Sequence, residues 1–142
     1  MGELPDNADA MLDLLKRSVL GSGFSTLLGV EPVRCWDGDA ELVIVLRPEL
    51  TQHHGFAHGA VVGAAADNVC AWAAASVAGD VVTASYTVQL LAPARGERLR
   101  AIGKVLAAGK RQLSVRADVF AETGAESRLV ATALASVARV DR

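Results

Sequence analysis

One carboxylate stands alone in a long uncharged stretch of this sequence. Asp67 is the only charged residue in positions 59–79, where nine of the other twenty residues are alanine. Alanine side chains cannot replace the water that a carboxylate loses on burial, so this position costs free energy unless another part of the fold supplies a partner. Such a cost indicates a functional group, and a carboxylate can act as a general base or as a nucleophile.

A stretch rich in histidine and glycine leads directly into this segment. It covers positions 53–59 and contains His53, His54 and His58. Together with Asp67 it predicts an active site. Three histidines could also hold a metal ion, but His53 and His54 are adjacent and no second group of ligands stands nearby. We therefore expect no metal at this site.

The composition predicts a globular protein without a nucleic-acid partner. The chain has 142 residues, of which 51% are hydrophobic and 21% charged, and its formal net charge is −2. No basic stripe with interleaved aromatic residues is present. Cys35 and Cys70 lack the spacing of a zinc or redox pair, and the acidic start lacks a signal-peptide pattern. We expect a cytoplasmic protein with reduced thiols.

The uncharged segment 59–79 is long enough to cross a membrane, since a spanning helix needs roughly 20 residues. Three features argue against a span. Alanine is only weakly apolar, Asp67 lies near the middle, and no basic or aromatic belt flanks the segment. We expect a core helix and no membrane partner.

Hydrophobic periodicity predicts a helix, two strands, a long helix and four further strands. Apolar residues at helical spacing mark a helix over 8–20, and Asp37-Gly38-Asp39 joins strands 30–36 and 40–46 into a hairpin. Positions 59–78 are rich in alanine, which favours helix. From position 81 onward the period is two, and in the first of these strands Thr83 falls on the polar face, opposite Tyr86.

An antiparallel sheet with one polar face needs a cover on the other face, and the long helix of small residues provides it. The sequence therefore predicts an α+β architecture, in which an antiparallel sheet of about six strands is covered by a long helix at about 59–78. We expect a single domain over residues 1–142, in which 1–22 form an N-terminal helix and connector.

This arrangement resembles the hotdog fold, in which an antiparallel sheet wraps a central helix. The motifs are similar to those of the PaaI-type (phenylacetic-acid-degradation) thioesterases of the 4-hydroxybenzoyl-CoA thioesterase superfamily, and the likeness covers about residues 20–140. The residues that carry it are Gln52, His54, His58, Gly59 and Asp67, followed by the segment Tyr86-Thr87-Val88-Gln89-Leu90-Leu91-Ala92-Pro93.

The resemblance implies hydrolysis of an acyl-CoA to a carboxylic acid and free CoA, with no cofactor. It places Asp67 at the catalytic carboxylate, the Gly59 N–H at the thioester carbonyl, and Gln52 near the scissile group. The acyl group would be aromatic or of medium to long chain.

The resemblance also implies residues that bind the substrate. Thr83 falls near a strand position where some members hold the attacking water with a hydroxyl, and Lys110 and Arg111 fall in a turn near the CoA phosphates. His54 could contact substrate or simply pack, and His58 is expected to order the loop and the start of the helix.

Two positions depart from the family pattern. The residue after Gly59 is Ala60 where the family usually has a second glycine, which would narrow the acyl pocket or alter the start of the helix. Ala71 replaces a hydroxyl that one branch carries one turn after the acid, so Thr83 becomes the better candidate for that role.

A distance argument predicts a dimer. Gly59 and Asp67 are eight residues apart, which corresponds to about 12 Å along a helix. One helix therefore cannot bring both groups to one carbonyl, whereas two antiparallel copies can. We expect a symmetric homodimer with two composite sites, which in this family assembles further into a homotetramer, a dimer of dimers.

Several alternatives stay open at the level of sequence. Asp67 could act as a base or as a nucleophile, or it could be a structural acid. Gln52 could be a loop-forming amide, and Trp72 is interpreted as a core or interface residue rather than a substrate platform. The rival functions are a non-catalytic acyl-CoA-binding or sensor protein, a hotdog hydratase or dehydratase, and a structural interaction domain.

Overall fold

A computed structural model describes residues 3–140 of the chain, so residues 1–2 and 141–142 of the predicted domain lie outside it. In chain order the elements are α1 (Ala8–Leu20), α2 (Gly23–Leu28), β1 (Val30–Trp36), β2 (Asp39–Val45), a 3-10 turn (Pro48–Leu50), α3 (Gly59–Ala78), β3 (Val81–Leu90), β4 (Arg98–Ala108), β5 (Gln112–Thr123) and β6 (Glu126–Arg139).

Local sequence signals explain the first elements. The Asn7 side chain caps α1 by accepting a hydrogen bond from the Ala10 N–H, and Gly21 ends the helix as predicted. Between β1 and β2, Asp37 and Gly38 have φ values of 50° and 84°. Positive φ at both central residues is the geometry that a two-residue hairpin turn requires. The short helix α2, between the predicted connector and β1, was not predicted.

The six strands form one antiparallel sheet in the order β1-β2-β4-β5-β6-β3. The sheet wraps α3, whose inward side chains Ala65, Ala66, Val69, Cys70 and Ala73 are fully buried. This arrangement confirms the predicted α+β hotdog architecture. α1 packs against β1 beside the C-terminal half of α3, and β1 and β3 form the two edges of the sheet.

Small residues let helix and sheet approach each other closely. A Cβ atom added to Gly103 on β4 would lie 2.7 Å from the backbone oxygen of Val69 on α3. No side chain fits at that separation, so the glycine fixes the distance between α3 and the sheet. α3 has a mean hydropathy of 1.4 over its most apolar window, but 61% of that window is buried inside the protein. It is a core helix.

A β-bulge in β3 changes which residues face α3. Thr83 pairs with Val137 while Ser85 pairs with Ser136, so Ala84 is an extra residue on β3. Such a bulge breaks the two-residue alternation of a strand. Thr83 therefore faces α3 together with Tyr86, and its predicted place on the opposite, polar face is wrong.

Candidate active site

Asp67 lies on α3 beside β3 and is half-buried. The Thr83 hydroxyl donates a hydrogen bond of 2.7 Å to Asp67 Oδ1. The hydrogen-bond donor that the neighbouring alanines cannot supply to Asp67 thus comes from β3, the adjacent strand. No hydrogen bond to Asp67 Oδ2 is found within residues 3–140, which leaves this oxygen available to a water molecule or a substrate.

Three residues at intervals of four form one stripe on α3, since positions i and i+4 share a helix face. They are Gly59, Gly63 and Asp67, and each faces β3. A Cβ added to Gly59 would lie 3.1 Å from Leu90 Cδ1, and one added to Gly63 would lie 3.7 Å from the Tyr86 hydroxyl. The two glycines therefore keep the backbone of α3 close to β3 along the stripe.

The N-terminus of α3 is organised by His58. Its Nδ1 accepts a 2.9 Å hydrogen bond from the Ala60 N–H, and its own backbone N–H donates to the Leu50 carbonyl. The Gly59 N–H makes no hydrogen bond within the described part of the chain. Unpaired amides at a helix start lie at the positive end of the helix dipole, where they can stabilise a developing oxyanion.

Gln52 holds the loop that precedes α3. Its side-chain Oε1 accepts a hydrogen bond from the His54 N–H, and its backbone N–H and carbonyl bond to Phe56 and Gly55 respectively. The side-chain oxygen is therefore engaged inside the loop, which leaves the amide NH₂ as the group that could meet a ligand. The exposed His54 ring is stacked on Phe56, with 6.1 Å between ring centroids.

Lys110 and Arg111 lie in the exposed turn between β4 and β5. The Arg111 carbonyl accepts a hydrogen bond from the Arg139 N–H, which sets this turn beside the start of β3, where Val81 pairs with Arg139. Within one chain the structure does not bring these two cations to Gly59. They sit toward the opposite end of α3.

A cavity of about 340 Å³ adjoins the start of α3. It is lined by Phe56, Ala57, Gly59, Val62, Leu90, Leu91, Ala92, Pro93, Ala94 and Val130. The Arg95 guanidinium stacks over the Phe56 ring, 4.8 Å from its centroid. Sequence analysis assigned no role to Phe56 or Arg95, because nothing in the spacing of residues 52–59 and 90–95 shows that the two loops meet.

Both cysteines are buried thiols. Burial raises the pKa of Cys35 to about 11 and that of Cys70 to about 12, and the negative charge of Asp67 adds to the second shift. Both groups are therefore protonated near pH 7, which excludes them as nucleophiles in their present environment. No group of three histidine, cysteine, aspartate or glutamate side chains that could hold a metal ion occurs within residues 3–140.

The fold and the stripe from Gly59 to Asp67 define a hotdog-fold protein. Residues 54–127 match the model of the thioesterase superfamily, and this match includes both Asp67 and Thr83. The chain belongs to the thioesterase superfamily. The resemblance to PaaI-type hotdog thioesterases is thereby confirmed at the level of the family.

Solved structures agree with this assignment. A thioesterase family protein from Silicibacter pomeroyi is 28% identical, with a TM-score of 0.86 over 92% of this chain and 99% of that one. A mutant of the phenylacetic acid degradation protein PaaI from Thermus thermophilus is 26% identical, with a TM-score of 0.75 over 84% of this chain and 100% of that one.

The PaaI protein of Escherichia coli shares the fold at 18% identity, with a TM-score of 0.83 over 92% of this chain and 94% of that one. A search of the curated proteins finds no match to this chain.

Proposed function

We propose that this protein is an acyl-CoA thioesterase in which water and an acyl-CoA give a carboxylic acid and free CoA. The observation that carries the proposal is the hydrogen bond between Thr83 and Asp67, which orients a carboxylate on the open stripe of the central helix. Membership of the thioesterase superfamily supports the reaction class. The proposed site needs no metal or organic cofactor.

Asp67 is the group that acts on the thioester. With Oδ1 held by Thr83, Oδ2 either removes a proton from the attacking water or attacks the carbonyl carbon itself. In the first case the water oxygen bonds to the carbonyl carbon, the C–S bond breaks, and the thiolate of CoA takes up a proton. In the second case an acyl–aspartate anhydride forms and water then hydrolyses it. Both routes end with the same products.

The oxyanion of this reaction needs a donor that Asp67's own chain cannot provide. The donor that we assign is the unpaired Gly59 N–H, but it lies eight residues before Asp67 on the same helix, or about 12 Å along the axis. We therefore place the Gly59 amide of one protomer against the Asp67 of its partner.

The free edge of β3 supports this arrangement. Within residues 3–140, β3 has a neighbour on one side only, and its apolar residues Val82, Tyr86 and Leu90 are 57%, 43% and 51% exposed. An exposed edge strand with apolar side chains is suited to pairing with another chain. A second copy of β3, related by a twofold axis, would extend the sheet in the antiparallel sense.

The register of such a pair follows from the contacts of α3. Gly59 lies beside Leu90 at one end of β3, and Asp67 bonds to Thr83 near the other end. Because Ala84 is an extra residue on β3, a twofold axis at Thr87 places Leu90 of one strand opposite the partner's Thr83, with both side chains on the α3 side. The same operation brings Gly59 of one helix toward the partner's Asp67.

Cations on two loops are suited to the phosphates of CoA. Arg95 lies above the cavity beside Gly59, and Lys110 and Arg111 lie toward the Asp67 end of the helix. In the antiparallel dimer these ends meet, so all three cations would surround one CoA entrance.

We assign the Gln52 amide and the His54 and His58 rings to contacts near the thioester. Two such dimers would form a tetramer in the cytoplasm.

The direct test is a thiol-release assay on a panel of acyl-CoAs with wild type and Asp67→Asn. We expect the substitution to lower kcat by about 10²- to 10⁴-fold, the range found when a general base is removed, with an unchanged circular dichroism spectrum. Glu126→Gln, which neutralises an exposed carboxylate on β6, serves as the charge-matched control and should keep full turnover. Equal rates for wild type and Asp67→Asn would remove Asp67 from the mechanism.

A further inference from the structure

A second apolar crevice lies between α1 and the C-terminal half of α3. Its volume is about 490 Å³, within the range of ordinary ligand pockets. The side chains that shape it include Leu4, Met11, Leu14, Leu15 and Trp72. This crevice is separate from the cavity beside Gly59, with which it shares no lining residue.

The crevice continues the stripe that carries Asp67. Ala71 and Ala75 line it, and they follow Asp67 by one and two helical turns on the same face of α3. Val81 also lines it, and Val81 shares the α3-facing side of β3 with Thr83, two residues further on. A group held at the Asp67–Thr83 pair would thus have the crevice directly ahead of it along the helix axis.

The composition of the walls indicates which part of an acyl-CoA the crevice can take. Among the described residues that line it, none is a lysine or an arginine. Lysine and arginine are the side chains that bind phosphate groups, so the described walls are not suited to the phosphates of CoA. The apolar walls favour a hydrocarbon instead.

The geometry points to the crevice between α1 and α3 as the acyl-chain pocket, which makes an unbranched medium- to long-chain acyl-CoA the substrate class; this rests on the proposed thioesterase function. From Asp67 to Ala71 the helix rises about 6 Å and to Gly79 about 18 Å. An extended chain advances about 1.2 Å per bond, because three backbone bonds span roughly 3.6 Å. Chains of about six to sixteen carbons therefore reach into the crevice, and shorter ones stop before it.

The pocket also gives Trp72 and α1 a function. The sequence had indicated a core or interface role for Trp72, and the structure packs it against the buried residues of α1 as well as the main core. Met11 and Leu15, the buried side chains of α1 at this point, then form the wall that sets the length of the acyl group.

Chain-length preference tests the pocket. We compare kcat/KM for butyryl-CoA and dodecanoyl-CoA in wild type, Ala75→Phe and Val77→Phe. Phe at position 75 fills the crevice, so the ratio of dodecanoyl to butyryl kcat/KM should fall at least 10-fold. Val77 is exposed on the same helix and does not line the crevice, so Val77→Phe should keep the wild-type ratio. An unchanged ratio in Ala75→Phe, or a preference for phenylacetyl-CoA over dodecanoyl-CoA in wild type, would overturn the proposal.

A binding measurement separates this proposal from the proposed function. In a Trp36→Phe background the fluorescence of Trp72 alone reports on the crevice, and dodecanoic acid should change it saturably. Adding Ala75→Phe should raise the Kd at least 10-fold. If no acyl-CoA is hydrolysed but this binding pattern holds, the thioesterase assignment fails and the pocket stands. If hydrolysis occurs but dodecanoic acid does not bind, the pocket assignment fails and the thioesterase stands.

Discussion

Asp67 and Thr83 form the pair on which the proposed chemistry rests. The sequence singled out Asp67 because no residue near it in the chain could compensate for its burial. The structure supplies the compensation from β3, sixteen residues further along, through a 2.7 Å hydrogen bond. A hydrogen bond to a charged group is stronger than one between neutral groups, so the pair fixes the direction of the carboxylate.

Substituting Thr83 tests this positioning role. Thr83→Val keeps the shape of the side chain but removes the hydroxyl, and Thr83→Ser restores it. A hydrogen bond to a charged group contributes about 1.5–3 kcal/mol, so Thr83→Val should lower kcat by roughly 10- to 100-fold. Thr83→Ser should recover most of this loss in the same thiol-release assay.

The split between kcat and KM distinguishes positioning from simple instability. If Thr83 only stabilises the fold, Thr83→Val and Thr83→Ser should both show the kcat and KM of wild type once corrected for the folded fraction. If Thr83 orients Asp67, Thr83→Val should lower kcat with little change in KM, and Thr83→Ser should restore kcat, because its hydroxyl can again hold the carboxylate in position.

Sequence analysis could predict the site only where its residues lie close together in one segment of the chain. Asp67, Gly59 and Gln52 stand close together in the chain, and their roles were proposed from that spacing and from the family resemblance. The contact with Thr83 depends on the bulge at Ala84, which the regular alternation of β3 hides. The stacking of Arg95 on Phe56 depends on two loops that meet only in the folded protein.

At the scale of the elements, the close approach of α3 to its sheet is the main determinant of the fold. The hairpin at Asp37-Gly38 and the extents of α1 and α3 were predicted correctly, because periodicity and turn residues are local signals, whereas the short helix α2 was not predicted. The distance between helix and sheet is set by pairs of small residues on different elements. The sequence shows the alanines of α3, but it does not show that Gly103 of β4 lies against Val69.

Gly103→Ala tests that close approach. Its Cβ would lie 2.7 Å from the Val69 backbone oxygen, so α3 or β4 has to shift. Overpacking of this kind costs about 1–3 kcal/mol, and urea denaturation at a fixed protein concentration should show a loss of that size in the free energy of unfolding.

The matched control is Gly23→Ala on α2, where an added Cβ would meet nothing within 4 Å. Alanine favours helix over glycine, so this variant should be as stable as wild type or slightly more so. Equal losses in both variants would contradict a specific role for Gly103.

At the scale of the whole molecule, helix α3 and the edge strand β3 both indicate that the partner is a second copy of this chain. The Gly59 amide and the Asp67 carboxylate lie at separate points of one helix, and the exposed edge of β3 runs between Leu90 beside the first and Thr83 beside the second. A twofold axis through the middle of β3 would join each group to its counterpart on the other chain. Each protomer would then contribute Gly59 to one site and Asp67 to the other, and it would contain no complete site by itself.

Hybrid dimers built from two inactive chains test this central claim most directly. Gly59→Pro removes the amide hydrogen at a helix position that tolerates proline, and Asp67→Asn removes the carboxylate. We propose to co-express the two variants with different affinity tags, isolate the hybrids by tandem purification, and measure thiol release from an acyl-CoA. If each site combines Gly59 of one protomer with the partner's Asp67, one of the two sites in a hybrid is intact, and turnover should rise to about half that of wild type. Hybrids no more active than either parent would show that both groups of a site come from the same chain, or that they do not share a site at all.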